Sequence, residues 1–285
     1  MTAPIRWPAE AVWEAVAPLL PGFTVEVLPS IDSTNTELMR RARAGQTEPT
    51  LLVAEQQTAG RGRLGRVWQS DVGASLMLSL GLPMAPRDWS GLSLAVGVSV
   101  AESLQPTLPP LEPGQPARIG LKWPNDLWLR PDEADRAAGR LAARKLGGIL
   151  IETTPAPDGR RVAVIGMGLN IAPREGADEA PGAPADTVFG SGYACLQDLL
   201  HGVSAPDVLA QVAPVLLQRL AEFERGGFTA LRERFEACDL LRGLTVRAGE
   251  RTGVADGIDA DGGLRLRTDT GLVSITSGEV SVRPC

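Results

Sequence analysis

The stretch AGRGRLGR, residues 59–66, sets three arginines and three glycines into eight positions between two apolar runs. TLLVAEQQ (50–57) precedes it and GASLMLSLGLP (73–83) follows; both have the continuous apolar texture of a buried strand. Gly60, Gly62 and Gly65 satisfy the spacing G-x-G-x-x-G. A dinucleotide-binding turn, however, needs a helix to start inside the loop, with its N-terminus at the pyrophosphate, and an acidic residue about 20 positions onward. Here the loop passes through VWQSDV into a strand, and the expected acidic position falls in an apolar run. The P-loop spacing G-x-x-x-x-G-K-[ST] is absent as well. Both features argue against a Rossmann turn. What remains is a solvated basic turn or an anion cradle. Glycines let backbone N–H groups approach a ligand closely. Arg61, Arg63 and Arg66 add planar donors that match carboxylate or phosphate. Such a loop is expected to move in the free protein, with Leu64 and Trp68 as its apolar anchors, and to close over a polyanion.

Along the rest of the chain the helical and strand periods alternate. PAEAVWEAVAPLL (8–20) has helical spacing with Pro8 at a first-turn position, and FTVEVLPSI alternates like a strand. DSTNTELMRRARAG (32–45) reads as a helix capped by Asp32 or Ser33 and ended by Gly45. DWSGLSLAVGVSVAESL (88–104) is long enough for a packed helix, and the five prolines of PTLPPLEPGQPAR (106–118) mark a surface connection. IGLKWPNDLWLR (119–130) reads as strand, tight turn, strand. The acidic, alanine-rich PDEADRAAGRLAAR (131–144) follows, and then RKLGGILIETT and RRVAVIGMGLNI form an apolar strand pair. APREGADEAPGAPADT (172–187) has the composition of a long flexible loop, and residues from about 191 to 238 read as helical. From Cys238 short strands alternate with glycine turns as in a small β-barrel. A boundary near residue 239 gives domains 1–238 and 239–285.

Composition narrows the function. A chain of 285 residues that is 44% hydrophobic supports a real core, and a net charge of −6 argues against broad nucleic-acid binding. No stretch approaches the roughly 18 apolar residues that span a bilayer, and the acidic start is no secretory signal. Cys195, Cys238 and Cys285 are widely spaced and odd in number, so they spell neither a disulfide framework nor a metal site. With His201 as the single histidine, a zinc site or a Ser/His/Asp triad has little material. A reduced, cytoplasmic protein with no membrane partner is expected.

SIDSTNTE, AEQQTAGRGRLGRVW, GASLMLSL, LKWPNDLWL, RKLGGILIE and VIGMGLNI occur in that order. Together they closely resemble the catalytic domain of the biotin protein ligases, also called biotin–[acetyl-CoA-carboxylase] ligases, over roughly residues 25–235. The resemblance implies an α/β fold: an α+β mixed-sheet catalytic domain of the biotin/lipoate ligase type with a small C-terminal SH3-like β-barrel. It also implies a reaction. Biotin and ATP, accompanied by Mg²⁺, give biotinyl-5′-AMP and pyrophosphate, and a lysine of a biotin carboxyl carrier protein then attacks the mixed anhydride. The carrier would belong to acetyl-CoA carboxylase or another biotin-dependent enzyme, and the ligase would be a monomer or homodimer.

Residue by residue, the resemblance assigns Arg63 the main electrostatic role and Lys145 the place beside the carboxylate and acyl phosphate. Two anions must meet in that reaction, and fixed cations and backbone donors suit the developing charge. Biotin contacts are carried onto Ser33, Thr34, Asn35, Gln57, Arg61, Gly62, Arg63, Lys145 and Gly148. Hydroxyls and amides fit a ureido ring with one acceptor and two donors, while helix capping by Ser33 or Thr34 explains part of that segment equally. Contacts to ATP or the adenylate fall on Gly60, Arg61, Arg63, Arg66, Trp68, Lys122, Asn125, Asp126 and Asn170, with Trp68 near adenine. Asp126 is a candidate metal contact, although turn chemistry alone accounts for Asn125 and Asp126; Lys122 reads as an electrostatic contact or a surface lysine. A tight strand approach explains Gly147 and Gly148 as well as a pocket floor does.

Two departures stand out. The segment 131–144 inserts residues beside the site, and the short stretch ahead of the first strand leaves no room for the DNA-binding winged helix that makes some relatives repressors. No DNA partner is expected. A lipoate or octanoyl transferase is the nearest rival, but the GRGRxGR loop is not its hallmark. A noncatalytic biotin-binding protein would lack a loop arginine or the lysine, whereas Arg61, Arg63 and Lys145 are all present.

Overall fold

The computed structural model describes residues 4–105, 117–137, 142–174, 189–276 and 282–284. The proline-rich connection at 106–116, part of each insert (138–141 and 175–187) and Cys285 are outside the described residues. In chain order the elements are α1 (Ala9–Val16), β1 (Thr24–Leu28), α2 (Thr34–Arg43), β2 (Thr50–Ala54), β3 (Ser75–Met84), α3 (Leu92–Leu104), β4 (Ile119–Lys122), β5 (Asp126–Leu129) and α4 (Glu133–Ala137). They continue with β6 (Ala143–Pro155), β7 (Arg161–Asn170), β8 (Phe189–Tyr193), α5 (Ala205–Gly226), α6 (Arg232–Cys238) and five short strands. These are β9 (Thr245–Ala248), β10 (Arg251–Ile258), β11 (Leu264–Thr268), β12 (Gly271–Ile275) and β13 (Val282–Pro284). The residues form two units. One holds Met1–Ala85, Gly147–Arg174 and Cys195–Gln218; the other holds Pro86–Leu146, Glu175–Ala194 and Arg219–Cys285.

In the first unit the strand order is β1-β2-β3-β7-β6, the last strand entering with Gly147–Pro155. β1 and β2 run parallel and every other pair is antiparallel. β2, β3 and β7 are almost wholly buried, which is why they read as continuous apolar runs. α2 forms because Ser33 caps it, its side chain accepting from the Thr36 N–H at 3.4 Å. Arg40, Arg41 and Arg43 sit in its last turn against the helix dipole, and Gly45 ends it at φ +87°. Its apolar stripe, Leu38, Met39 and Ala42, packs on Leu52, Val162 and Val164 of the sheet. That stripe leaves the N-terminal turn of the helix, Ser33 to Asn35, over the same sheet face.

The second unit contains the hairpin of β4 and β5, paired from Ile119↔Leu129 to Lys122↔Asp126 around a turn at Trp123–Asn125. α3 is largely apolar and correspondingly buried from Leu92 through Leu104, with Ser93 and Glu102 partly exposed. It starts after Gly91, at φ +78°, where a Cβ would come within 2.5 Å of the Phe228 ring. The C-terminal strands make a five-stranded antiparallel sheet in the order β12-β11-β10-β9-β13. Among the described residues that path runs from β12 to β13, consistent with the SH3-like fold. Trp123, 1% exposed, donates its indole N–H to the Gly262 carbonyl at 2.9 Å.

One expectation is overturned. Helix was expected from about residue 191, but Phe189–Tyr193 is β8, which pairs parallel with β6 at Ala143↔Phe189 and Lys145↔Tyr193. The segment FGSGY carries two glycines, poor helix formers. The long helix begins only at Ala205, where Ser204 and Asp207 cap one another's backbone and Pro206 fits the first turn.

Candidate functional site

Four segments of the first unit converge through side-chain hydrogen bonds. Gln57, just after β2, accepts at Oε1 from the Thr34 backbone N–H at 2.7 Å. The Thr34 hydroxyl is 2.7 Å from Ser79 Oγ and 3.1 Å from the same Gln57 oxygen. Ser79 donates to Asn35 Oδ1 at 2.8 Å, and Asn35 Nδ2 donates to Glu152 Oε2 at 2.9 Å. Each hydroxyl has one proton. Since Ser79 spends its own on Asn35, the Thr34 proton is the one shared between Ser79 and Gln57. Thr34 and Asn35 are each 3% exposed and Ser79 is fully buried, so the chain of partners is what makes their burial tolerable. Ser33, the remaining residue of that turn, turns its hydroxyl to its own helix as the cap.

The floor under this wall is made by glycines. β3, β7 and β6 bring Ser79, Gly166 and Leu150 into register, and then Met77, Gly168 and Gly148 one pleat along on the same face. A Cβ on Gly166 would collide with Asn35 Oδ1, and one on Gly168 would come within 2.6 Å of Trp68 Cζ2 and Nε1. Both glycines therefore let a polar or aromatic side chain lie flat on the strand. Gly148, expected at the pocket, stands opposite Gly168.

The glycine–arginine loop is a small backbone-bonded turn. The Trp68 N–H donates to the Gly60 carbonyl at 2.9 Å and the Gly62 N–H to the Arg66 carbonyl at 2.8 Å. Arg63–Gly65 form a single 3-10 turn, closed by Leu64 at φ 57° and Gly65 at φ 71°. A Cβ on Gly60 would strike the Trp68 carbonyl. Leu64 is 54% exposed, so it does not anchor the loop as expected; its left-handed backbone points the side chain outward, and Trp68 alone is held against the sheet. Arg61 reaches Glu152 Oε1 at 3.4 Å.

In the second unit, Lys145 Nζ donates to Asp126 Oδ1 at 2.8 Å. Lys122 stands opposite Asp126 in the hairpin, its Nζ 5.2 Å from the Trp128 ring centroid, and Asn125 closes the turn. Asp126, the candidate metal contact, thus holds an ammonium group. Among the described residues no group of three His, Cys, Asp or Glu side chains is arranged to hold a metal ion. Asn170 ends β7, buried and paired with Ser75. The two described cysteines are free thiols. Burial pushes Cys195 up to about 11 and Cys238 up to about 12, so neither supplies a thiolate nucleophile at neutral pH.

Sequence reasoning missed Ser79 and Glu152. A signal existed for both: Ser79 is the hydroxyl inside the apolar run SLMLSLGLPM, and Glu152 the first charge after GGILI on β6.

Comparison with known proteins gives the family. Residues 27–171 match the model of the Biotin/lipoate A/B protein ligase family, and residues 242–283 that of the Biotin protein ligase C terminal domain. The chain is 33% identical over 270 residues to the Bifunctional ligase/repressor BirA of Escherichia coli strain K12, covering 93% of this chain and 75% of the relative. It is 32% identical to the Biotin--[acetyl-CoA-carboxylase] ligase of Mycobacterium tuberculosis, covering 90% and 88% of the two chains. Among solved structures, the biotin protein ligase of Aquifex aeolicus in complex with biotin and ATP superposes with a TM-score of 0.68 at 28% identity, covering 92% of this chain and 99% of that one. The chain belongs to the biotin/lipoate A/B protein ligase family and, by these relatives and its C-terminal segment, to the biotin protein ligases within it.

Proposed function

We propose that this ligase takes free biotin as its acid, ATP as its nucleotide and a biotin carboxyl carrier protein as its acceptor. In the first half-reaction a biotin carboxylate oxygen attacks the α-phosphorus and the bond to the β-phosphate oxygen breaks, giving biotinyl-5′-AMP and pyrophosphate. In the second a carrier lysine, as free amine, attacks the acyl carbon; the C–O bond breaks, AMP leaves, and the amine loses a proton. The observation that carries the reading is the buried relay Gln57–Thr34–Ser79–Asn35–Glu152, which supplies fixed amide and hydroxyl groups beside the arginine loop. A ureido ring needs such neutral donors and acceptors, whereas lipoate has none to meet.

Arg63 is assigned the charge that develops on the transferring phosphoryl group, with Arg61 and Arg66 as further donors and Gly60 and Gly62 as positions where the loop backbone comes close to the ligand. Lys145, oriented by Asp126, is assigned to the acyl phosphate oxygens. Trp68 offers a ring for adenine; Gly148 is assigned to biotin, and Lys122, Asn125 and Asn170 are each assigned to ATP or the adenylate. Magnesium fits as an ion carried on ATP, because such ions keep several waters and need only one or two carboxylates. Asp126 is the carboxylate assigned to it, and when bound the ion neutralises phosphate charge. Residues 1–238 are read as the catalytic domain and 239–285 as the C-terminal domain. The free thiols Cys195 and Cys238 suit a reducing cytoplasm.

Exchange of labelled pyrophosphate into ATP tests the reading. Exchange that requires biotin and ignores lipoate is the expected result; exchange driven by lipoate instead overturns it. No described helix is long and apolar enough to cross a membrane.

A further inference from the structure

Glu152 ends that relay without a catalytic or binding assignment of its own, and both of its carboxylate oxygens are committed. Oε2 accepts from Asn35 Nδ2 at 2.9 Å and Oε1 lies 3.4 Å from Arg61 Nη1. One partner belongs to the pocket wall at the start of α2, the other to the glycine–arginine loop. The carboxylate is a quarter exposed and the guanidinium about half, at 24% and 48%. The pair is thus wet enough to open and close. An arginine has five donors in a rigid fork, so one edge engaged by Glu152 leaves others for an incoming anion. Without Glu152 the long Arg61 side chain would sample many rotamers, and the Asn35 amide would lose the partner that fixes which way it faces.

We propose that Glu152 is a positioning residue for the ligation reaction: it ties the loop arginine to the pocket wall, so that a biotin seated against Asn35 meets Arg61 already aimed. This rests on the biotin reading of the same site. Glu152 touches no substrate in this role. It acts through Asn35 and Arg61, and its effect belongs to biotin capture more than to the chemical step.

E152Q separates the two contacts, because a glutamine carbonyl still accepts from Asn35 while the charge facing Arg61 is gone. In pyrophosphate exchange the KM for biotin is expected to rise about tenfold, with kcat held within about threefold. E152D, which keeps the charge on a shorter arm, is expected to recover part of that loss. In a double-mutant cycle, R61Q and R61Q/E152Q are expected to share one KM within about twofold, because the second change has no partner left to lose. Fold-changes that multiply, or a normal KM in both E152Q and E152D, overturn the proposal.

A ligand-free arm keeps it testable if the wild-type protein proves not to exchange with biotin. Arg61, Arg63 and Arg66 make the loop a trypsin target, and the tether should slow cutting there. Mass spectrometry is expected to find cleavage between residues 61 and 67 several-fold faster in E152Q than in wild type. Equal rates overturn the tether. A missing exchange with the faster cutting intact would instead condemn the biotin reading alone.

Discussion

The two ends of α2 lie on one sheet face and are held by opposite physics. At its C-terminal half, Leu38, Met39 and Ala42 bury apolar surface against Leu52, Val162 and Val164. At its N-terminal turn, Thr34 and Asn35 are as deeply buried, yet their side chains are held by directed hydrogen bonds to Gln57, Ser79 and Glu152. Apolar contacts are non-directional and interchangeable, so that end tolerates any side chain of similar volume. The polar end tolerates almost none, because each deletion leaves another buried group without its partner. The difference teaches where to look for function. Leucines at both ends would need no such partners, and the polar end is the one proposed to hold biotin.

Substitutions can break this contrast, the largest effect falling where charge meets substrate. Arg63→Ala should leave the unfolding midpoint nearly unchanged while adenylate formation drops on the order of 100-fold or more; wild-type turnover would remove the loop from the mechanism. Leu38→Ala should do the reverse. It should cost about 2–5 kcal/mol of stability in urea unfolding, with the KM for biotin little changed in the surviving folded protein. A large KM effect would mean that the two ends are not separable.

Gly166→Ala sharpens the comparison from the floor. The added methyl displaces the Asn35 carbonyl oxygen, and the KM for biotin is expected to rise at least about tenfold with a stability loss of only about 1–3 kcal/mol. An unchanged KM would show that Asn35 does not shape the pocket. The smallest effect is expected at Asp239, a carboxylate buried outside any completed network: Oδ1 accepts from the Leu241 N–H at 2.8 Å, while Oδ2 meets no donor among the described residues. Burial pushes its carboxyl above the ordinary carboxylate range. The folded protein therefore holds that proton more tightly than the unfolded chain. The stability tied to it is complete below the unfolded value and is lost as pH rises through the raised folded value. Asp239→Asn should gain on wild type in thermal unfolding as pH climbs from acid to neutral. Parallel curves for the two proteins would contradict the raised value.

Much of the site was legible in the sequence because its signals are local. The capping turn of α2, the strand–turn–strand of KWPNDL and the glycines of the loop each follow from a few adjacent residues. Leu64 misled because its exposure depends on the local chain path, here a turn with a positive φ that nothing in the residue type announces. β8 was missed because five residues flanked by a long helix carry too little periodicity to outweigh it. Glu152 was missed for another reason. Its partner Asn35 lies 117 positions away in sequence, and no local pattern encodes such a pairing.

By itself, the sequence determined the chemistry: which cations, amides and hydroxyls are available, and that the loop's flanks argue against a dinucleotide turn, since those follow from residue type and spacing. Only the tertiary structure decided how they are used. Strand register set Gly166 under Asn35 and Gly168 under Trp68, and aligned Ser79 with the capping turn. Glu152 likewise acquired its two partners only when β6 was laid beside β7. Register is fixed by the summed burial of whole strands, with one-residue slips sending every side chain to the opposite face. That sum belongs to the assembled sheet and to no single segment of the chain.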